Sequence, residues 1–206
     1  LLMPVADGLD ANAIVTLSLA LESVNRKADA MHVIESWNDA NDVRDLDPVG
    51  VLAGRLKRRW LVSRQQRDLD RALELYTDGF NRAVAIGNHD QAYYHGINVA
   101  YLRLVGGPAD GPVPFEVIDM ARQALLHVEA SHRNAWSLAT EGEARLMLGE
   151  LEAGSTAYRM ARELATTLRD RDSMYMQAIA VASRVFGEAG TKAIETVFEL
   201  HQHTGV

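Results

Sequence analysis

The chain has 206 residues, of which 48% are hydrophobic, and its formal net charge is −7. A chain of this composition can bury a core, so it does not belong to the disordered class. The acidic balance argues against nucleic acid as the main partner, because phosphate binding needs a basic face. The absence of cysteine excludes disulfides and thiolate metal sites, and it is consistent with a cytoplasmic location.

The chain also lacks the signals of membrane insertion and export. No apolar run approaches the roughly 18 residues that a bilayer span needs, so we expect no membrane segment. Residues 1–9 lack a basic n-region, and we expect them to form a flexible lead-in. The chain does not begin with Met. We therefore expect a fragment of a longer protein, in which a catalytic domain could lie elsewhere in the same chain.

Apolar residues recur at spacings of three and four along most of the chain, which predicts helices. The first two are expected at about residues 10–25 and 27–41. Asp47 and Pro48 are the predicted N-cap and first residue of the third helix, which ends near Gln65. Asp68 is the predicted cap of the fourth helix.

The later helices are separated by glycine-containing breaks. Gly87 and Asn88 end the fourth helix, Asp90 starts the fifth, and the loop PADGPVP precedes a sixth at about residues 115–130. Two helices between residues 134 and 168 fold back at Gly149. The last two are expected at about residues 173–186 and after Thr191, which is the predicted cap of the tenth helix.

The segment 134–168 carries the spacing of a tetratricopeptide repeat. Small residues stand seven apart at Gly142 and Gly149, followed by Tyr158 and then by Ala161. One helix pair cannot bury its apolar stripe alone, but stacked pairs can. We therefore predict an all-α, right-handed α-solenoid of about five antiparallel helix hairpins, with residues 10–206 as a single domain.

Two other stretches carry a family resemblance. GRLKRRW at residues 54–60 precedes DRALELYTDGF at residues 70–80, and YYHGINVAYLRLVGG follows at residues 93–107. In this order and spacing they resemble the TRAF-binding region of the apoptosis-signal-regulating MAP kinase kinase kinases, and more closely its bacterial relatives. The resemblance covers roughly residues 48–168. It implies a helical regulatory and scaffolding region without catalytic activity of its own.

The first candidate site is the basic helix that contains Arg55, Arg58 and Arg59. Arginines on one helix face could bind an acidic peptide or a phosphate. The alternative is that these arginines pair with nearby acidic helices on a solvated face.

The second candidate site is the start of the fifth helix, with Tyr93, Tyr94 and Asn98. Tyr94 and Asn98 are four residues apart and share a helix face. With Arg55 and Arg59 they could line a groove for a small anion such as a nucleotide. The alternative is that the tyrosines pack and that the amide bonds a helix end.

Metal and catalytic sites are not expected. His201 and His203 are two apart and point to different helix faces, without a third ligand at metal-binding spacing. The pairs His89–Asp90 and Glu141–Glu143 lack an accompanying nucleophile or oxyanion loop. We expect no catalytic residue, no metal and no cofactor.

These observations favour a non-catalytic interaction module of a signalling protein. Solenoids of helical repeats present a long surface that binds extended or helical peptides. The expected partner is a protein or peptide, a second copy of the chain, or a catalytic domain in the same chain. The alternative is a sensor for a small anionic ligand.

Overall fold

A computed structural model describes residues 8–40 and 46–199, which form ten α-helices without a β-strand among them. In chain order the helices are α1 (Ala11–Ser23), α2 (Lys27–Ala40), α3 (Asp47–Ser63), α4 (Gln66–Ala85), α5 (His89–Gly106), α6 (Phe115–Glu129), α7 (Ala135–Met147), α8 (Leu151–Leu164), α9 (Leu168–Phe186) and α10 (Glu188–Val197). The all-α, tetratricopeptide-like class predicted from the sequence is confirmed. No helix in the described ranges is long and apolar enough to cross a membrane.

The chain divides into two compact units, Leu1–Ala83 and Val84–Val206. In the first unit, α1 and α2 pack through a cluster of buried side chains. These are Ile14, Leu21, Ala30, Val33 and Trp37. The indole Nε1 of Trp37 donates a hydrogen bond of 2.7 Å to the carbonyl of Leu9. The chain before α1 is therefore attached to the core of this unit. A single domain over residues 10–206 stays a prediction.

In the second unit, α7 and α8 form the hairpin that the repeat spacing predicts. A Cβ atom added at Gly142 would lie 2.6 Å from the ring of Tyr158, and one at Gly154 would lie 2.9 Å from Leu146. Gly142 of α7 lies against Tyr158 of α8, and Leu146, one turn further along α7, lies against the earlier residue Gly154. The two helices are therefore antiparallel. Both glycines allow the helices to approach more closely than any side chain would permit. Gly149 makes the turn with a φ of +83°, a value that favours glycine.

Several predicted helix starts are wrong. The N-cap of α3 is Leu46, without a side-chain hydrogen bond, so Asp47 lies inside the first turn. α4 begins at Gln66, which places Asp68 inside the helix, where it pairs with an arginine. α5 is capped by Asn88, whose side chain accepts a bond from the Gln91 amide.

The starts of the last two helices are also earlier than predicted. Thr167 caps α9 through its hydroxyl, so that helix begins at Leu168 and not at Ser173. α10 begins at Glu188 after Gly187 and has no side-chain cap, so Thr191 lies within it. In both places the helix extends several residues further toward the N-terminus of the chain than the predicted start, through residues 168–172 in α9 and 188–190 in α10.

Candidate functional site

Arg55 of the basic helix α3 is a core residue of the first unit, with 6% of its surface exposed. Its Nη1 donates to the hydroxyl of Ser18 and to the carbonyl of Ala30 at 3.1 Å. Its Nη2 lies 3.3 Å from a carboxylate oxygen of Glu22. Burial lowers the pKa of Arg55, and the charge of Glu22 opposes this shift. The guanidinium group thus joins α3 to α1 and α2.

Arg59 makes a two-bond contact with Asp68 of α4. Its Nε and Nη2 each donate to one carboxylate oxygen at 2.6 Å, and only 1% of the Asp68 side chain is exposed. The hydrogen bonds from Arg59 lower the pKa of Asp68. This contact explains why Asp68 does not serve as a helix cap.

Arg58 is the exposed member of the three predicted arginines. Its side chain is 54% exposed, and its Nη2 lies 3.5 Å from Glu22. All three arginines therefore have acidic neighbours within the unit, but Arg55 is buried and does not lie on the solvated face of the alternative interpretation. An anion site on α3 stays a prediction.

The predicted α5 residues differ in exposure. Tyr93 is buried at 6% exposure and Asn98 at 3%, whereas Tyr94 is 37% exposed. Burial raises the pKa of Tyr93. The Asn98 amide donates to the carbonyl of Tyr94 at 2.8 Å, within its own helix. These residues belong to the second unit and Arg55 and Arg59 to the first, so a groove shared by the four stays a prediction.

The carboxylate pair of α7 faces two different environments. Glu141 accepts hydrogen bonds from Arg145 at 3.0 Å and from Arg133 at 3.2 Å. Glu143 is 2% exposed and accepts from Gln177 of α9 at 2.7 Å. The described residues contain no group of three or more potential metal-binding side chains. His201 and His203 lie outside the described residues.

A groove of about 400 Å³ on the α7–α8 hairpin is absent from the sequence predictions. Charged side chains and smaller or apolar side chains line it together. The lining residues are Arg133, Glu141, Arg145, Glu152, Ala153, Thr156, Ala157 and Met160. We call it the α7–α8 groove. The spacing of four between Glu141 and Arg145, and between Ala153 and Ala157, is the sequence signal that could have indicated it.

A second groove, of about 650 Å³, runs along α4. A single helix provides its lining, which consists of Asp70, Leu73, Glu74, Thr77, Asp78 and Asn81. It is an open helix surface, and its carboxylates bond side chains of the same helix, as Glu74 does with Arg71 at 2.8 Å. The α7–α8 groove is the better candidate because residues of two helices line it.

The helices, the antiparallel hairpin and the close glycine contacts define a tetratricopeptide-like helical-repeat protein. The sequence model of the Tetratricopeptide Repeats-Sensor (TPR-S) family matches residues 1–103, which is half of the 206 residues. The chain therefore belongs to this family. No curated protein and no solved structure is significantly similar to it. Family membership confirms the tetratricopeptide-like class predicted from the sequence.

Proposed function

We propose that the chain is a non-catalytic regulatory and scaffolding module of a larger signalling protein, which binds another protein through its helical repeats. Membership of a tetratricopeptide-repeat family is the observation that carries this proposal, because such repeats generally bind proteins. The partner is a protein or peptide, a second copy of the chain, or a catalytic domain in the same chain. We place the module in the cytoplasm.

The α7–α8 groove supports this proposal through its mixture of side chains. Met160 is 42% exposed and offers an apolar contact of the kind that contributes affinity. In the same groove, Nε of Arg145 lies 3.0 Å from a carboxylate oxygen of Glu141. The hydrogen bond that Arg145 donates to Glu141 raises the pKa of Arg145, which favours the charged form of its guanidinium group. Fixed charges at the edge of an apolar contact select a partner by its own charge pattern.

We also propose a distant relationship to the TRAF-binding region of the apoptosis-signal-regulating MAP kinase kinase kinases and its bacterial relatives. It rests on the pieces Gly54-Arg55 and Gly96-Ile97-Asn98. All five residues are buried, and Arg55 and Asn98 bond backbone carbonyls. A relationship carried by these residues concerns the helical scaffold and not a shared ligand.

Sensing of a small anion through the basic groove receives less support. Arg55 and Arg59 both contact carboxylates within the first unit, so an anion would have to displace Glu22 or Asp68. We expect nucleotides and phosphorylated metabolites to leave the melting temperature unchanged. A ligand-dependent rise would revive this alternative, because binding to the folded state alone raises stability.

The interaction proposal is tested by replacing one exposed methionine in the groove. Met160→Glu should weaken the recovery of cross-linked partners from the native cell, or the formation of dimers in light scattering. Met176→Glu, on α9 outside the groove at 62% exposure, is the matched control. Equal recovery with both variants would exclude the α7–α8 groove as the contact. A strictly monomeric chain that captures no partner would contradict the proposed function itself.

A further inference from the structure

Two histidines from different helices meet on the second unit. His89 is the first residue of α5, and His127 lies in the last turn of α6. Their Nδ1 atoms are 2.9 Å apart although the residues are 38 positions apart in sequence. The ring centroids are 5.2 Å apart. With both rings neutral, one Nδ1–H donates to the lone pair of the other nitrogen.

The same two nitrogens have the spacing of a pair of metal ligands. Imidazole nitrogens bind divalent transition metals at about 2.0–2.1 Å. Two such ligands at a right angle around one ion are about 2.9 Å apart, and at a tetrahedral angle they are about 3.4 Å apart. The observed 2.9 Å matches the first arrangement, which Cu²⁺ and Ni²⁺ favour in tetragonal geometry.

We propose that His89 and His127 form a two-histidine site for a divalent transition metal ion, with affinity in the order Cu²⁺ above Ni²⁺ and Zn²⁺. The metal takes the place of the shared proton. The donor ring loses its Nδ1 proton to solvent and takes up one at Nε2, so both rings bind as neutral Nε2–H imidazoles. Water fills the remaining coordination positions. The order follows the general stability series of the divalent ions.

The surroundings of the two rings favour the binding of a metal ion. His89 is exposed and His127 is partly buried, so an ion can enter and the His89 ring can turn to direct its lone pair. Burial, with a contribution from the charge of His89, lowers the pKa of His127. The described residues hold no larger group of metal-binding side chains, which makes the pair a two-ligand site.

The experiment is a calorimetric titration of the full chain with the chloride salts of Cu²⁺, Ni²⁺ and Zn²⁺ at neutral pH. All proteins carry His201→Gln and His203→Gln, so that the C-terminal histidines do not contribute. We expect one Cu²⁺ per chain. His89→Gln or His127→Gln should each weaken Cu²⁺ binding by at least about tenfold. Loss of a residue that only supports a metal ligand already costs about that much affinity, and these two residues are the ligands themselves.

His132→Gln, which removes an exposed histidine near α6, is the matched control and should bind Cu²⁺ as the parent does. Electron paramagnetic resonance of the Cu²⁺ form should show coupling to two imidazole nitrogens in the parent and to one in each single variant. Helical circular dichroism checks that the variants fold. An affinity unchanged in the double variant His89→Gln/His127→Gln, or no binding by the parent, would overturn the proposal.

Discussion

Two neighbouring turns of α3 use arginine in different ways. Arg55 is buried and bonds a hydroxyl, a carbonyl and a carboxylate. Arg59 is 43% exposed at its side chain and bonds the buried carboxylate of Asp68. Removal of Arg55 therefore takes a donor from three different groups, whereas removal of Arg59 takes two hydrogen bonds from one carboxylate.

Arg55→Ala should destabilise the chain by roughly 2 kcal/mol or more, since it deletes hydrogen bonds to a charged group and opens a space in the core. Arg58→Ala removes a contact with the same Glu22 from an exposed position and should change stability by less than about 1 kcal/mol. Urea unfolding followed by circular dichroism measures both. Equal losses would mean that Arg55 is not part of the core.

Asp68→Asn should change the dependence of stability on acid pH. The pKa of Asp68 is lowered in the folded state below its ordinary value of 3.8, so the ionised group stabilises the fold above that value. This contribution is lost as the pH falls through the lowered pKa. We expect the stability difference between wild type and Asp68→Asn to shrink progressively below about pH 4, in chemical unfolding at a series of pH values. A constant difference would contradict this assignment.

The arginine partners could not be predicted from the sequence. Glu22 and Ser18 are more than 30 positions from Arg55, and their contact depends on how α1 and α2 pack against α3. The sequence does show that Arg55 and Arg59 share a helix face, since they are four apart. It does not show whether that face meets water, an anion or another helix.

At the scale of the helices, the contact between Gly142 and Tyr158 limits the distance between α7 and α8. Gly142→Ala should lower the melting temperature, because its Cβ would lie 2.6 Å from the Tyr158 ring. Overpacking of this kind costs about 1–3 kcal/mol, more than the gain of about 1 kcal/mol in helix propensity. Gly142→Leu should have a larger effect in the same direction.

Thr156→Ala, at an exposed position of α8, is the control for helix propensity and should be neutral or slightly stabilising. Differential scanning calorimetry gives the sign of each change. A raised melting temperature for Gly142→Ala would show that α7 and α8 do not pack as closely as described.

The end of α10 depends on an arginine of α8. Arg162 donates to the carbonyl of Val197 at 2.8 Å and lies 2.9 Å from Glu199. Arg162→Ala should speed hydrogen exchange of the α10 amides, since a cation that bonds the last carbonyls stabilises a helix C-terminus. Arg159→Ala, at an exposed position of the same helix, should leave those amides unchanged. Unaltered exchange in Arg162→Ala would show that this contact does not hold the helix.

The helices themselves could largely be predicted from the sequence, and so could some of their starts, such as Lys27 of α2 and Phe115 of α6, but several other starts could not. The apolar spacing identified all ten, and the breaks at Gly87 and Gly149 are observed as turns. Asp68 has the residue type of an N-cap, yet its carboxylate bonds Arg59 instead. An acidic residue near a helix start can serve either role, and only the tertiary partner decides between them.

At the scale of the whole molecule, the second unit has a buried core of its own. Its most buried large side chains include Leu102, Leu138, Leu146, Tyr158 and Ile194. We expect a fragment of residues 86–206, which keeps the Asn88 cap, to be helical and to unfold cooperatively in urea. Its m-value should be smaller than that of the full chain, because less surface becomes exposed. A disordered fragment would instead support the predicted single domain over residues 10–206.

The buried position of Arg55 has a consequence for the accuracy of folding. Helices with similar apolar stripes can pair in shifted alignments that bury nearly as much surface, but a buried charge finds its partners in few of them. The observed alignment brings Ser18 and the Ala30 carbonyl to Nη1 of Arg55, and Glu22 to its Nη2. We infer that Arg55 excludes misaligned pairings of α1–α3. Arg55→Met should then fold to more than one state, seen as extra amide peaks in NMR spectra, and a single set of peaks would contradict this inference.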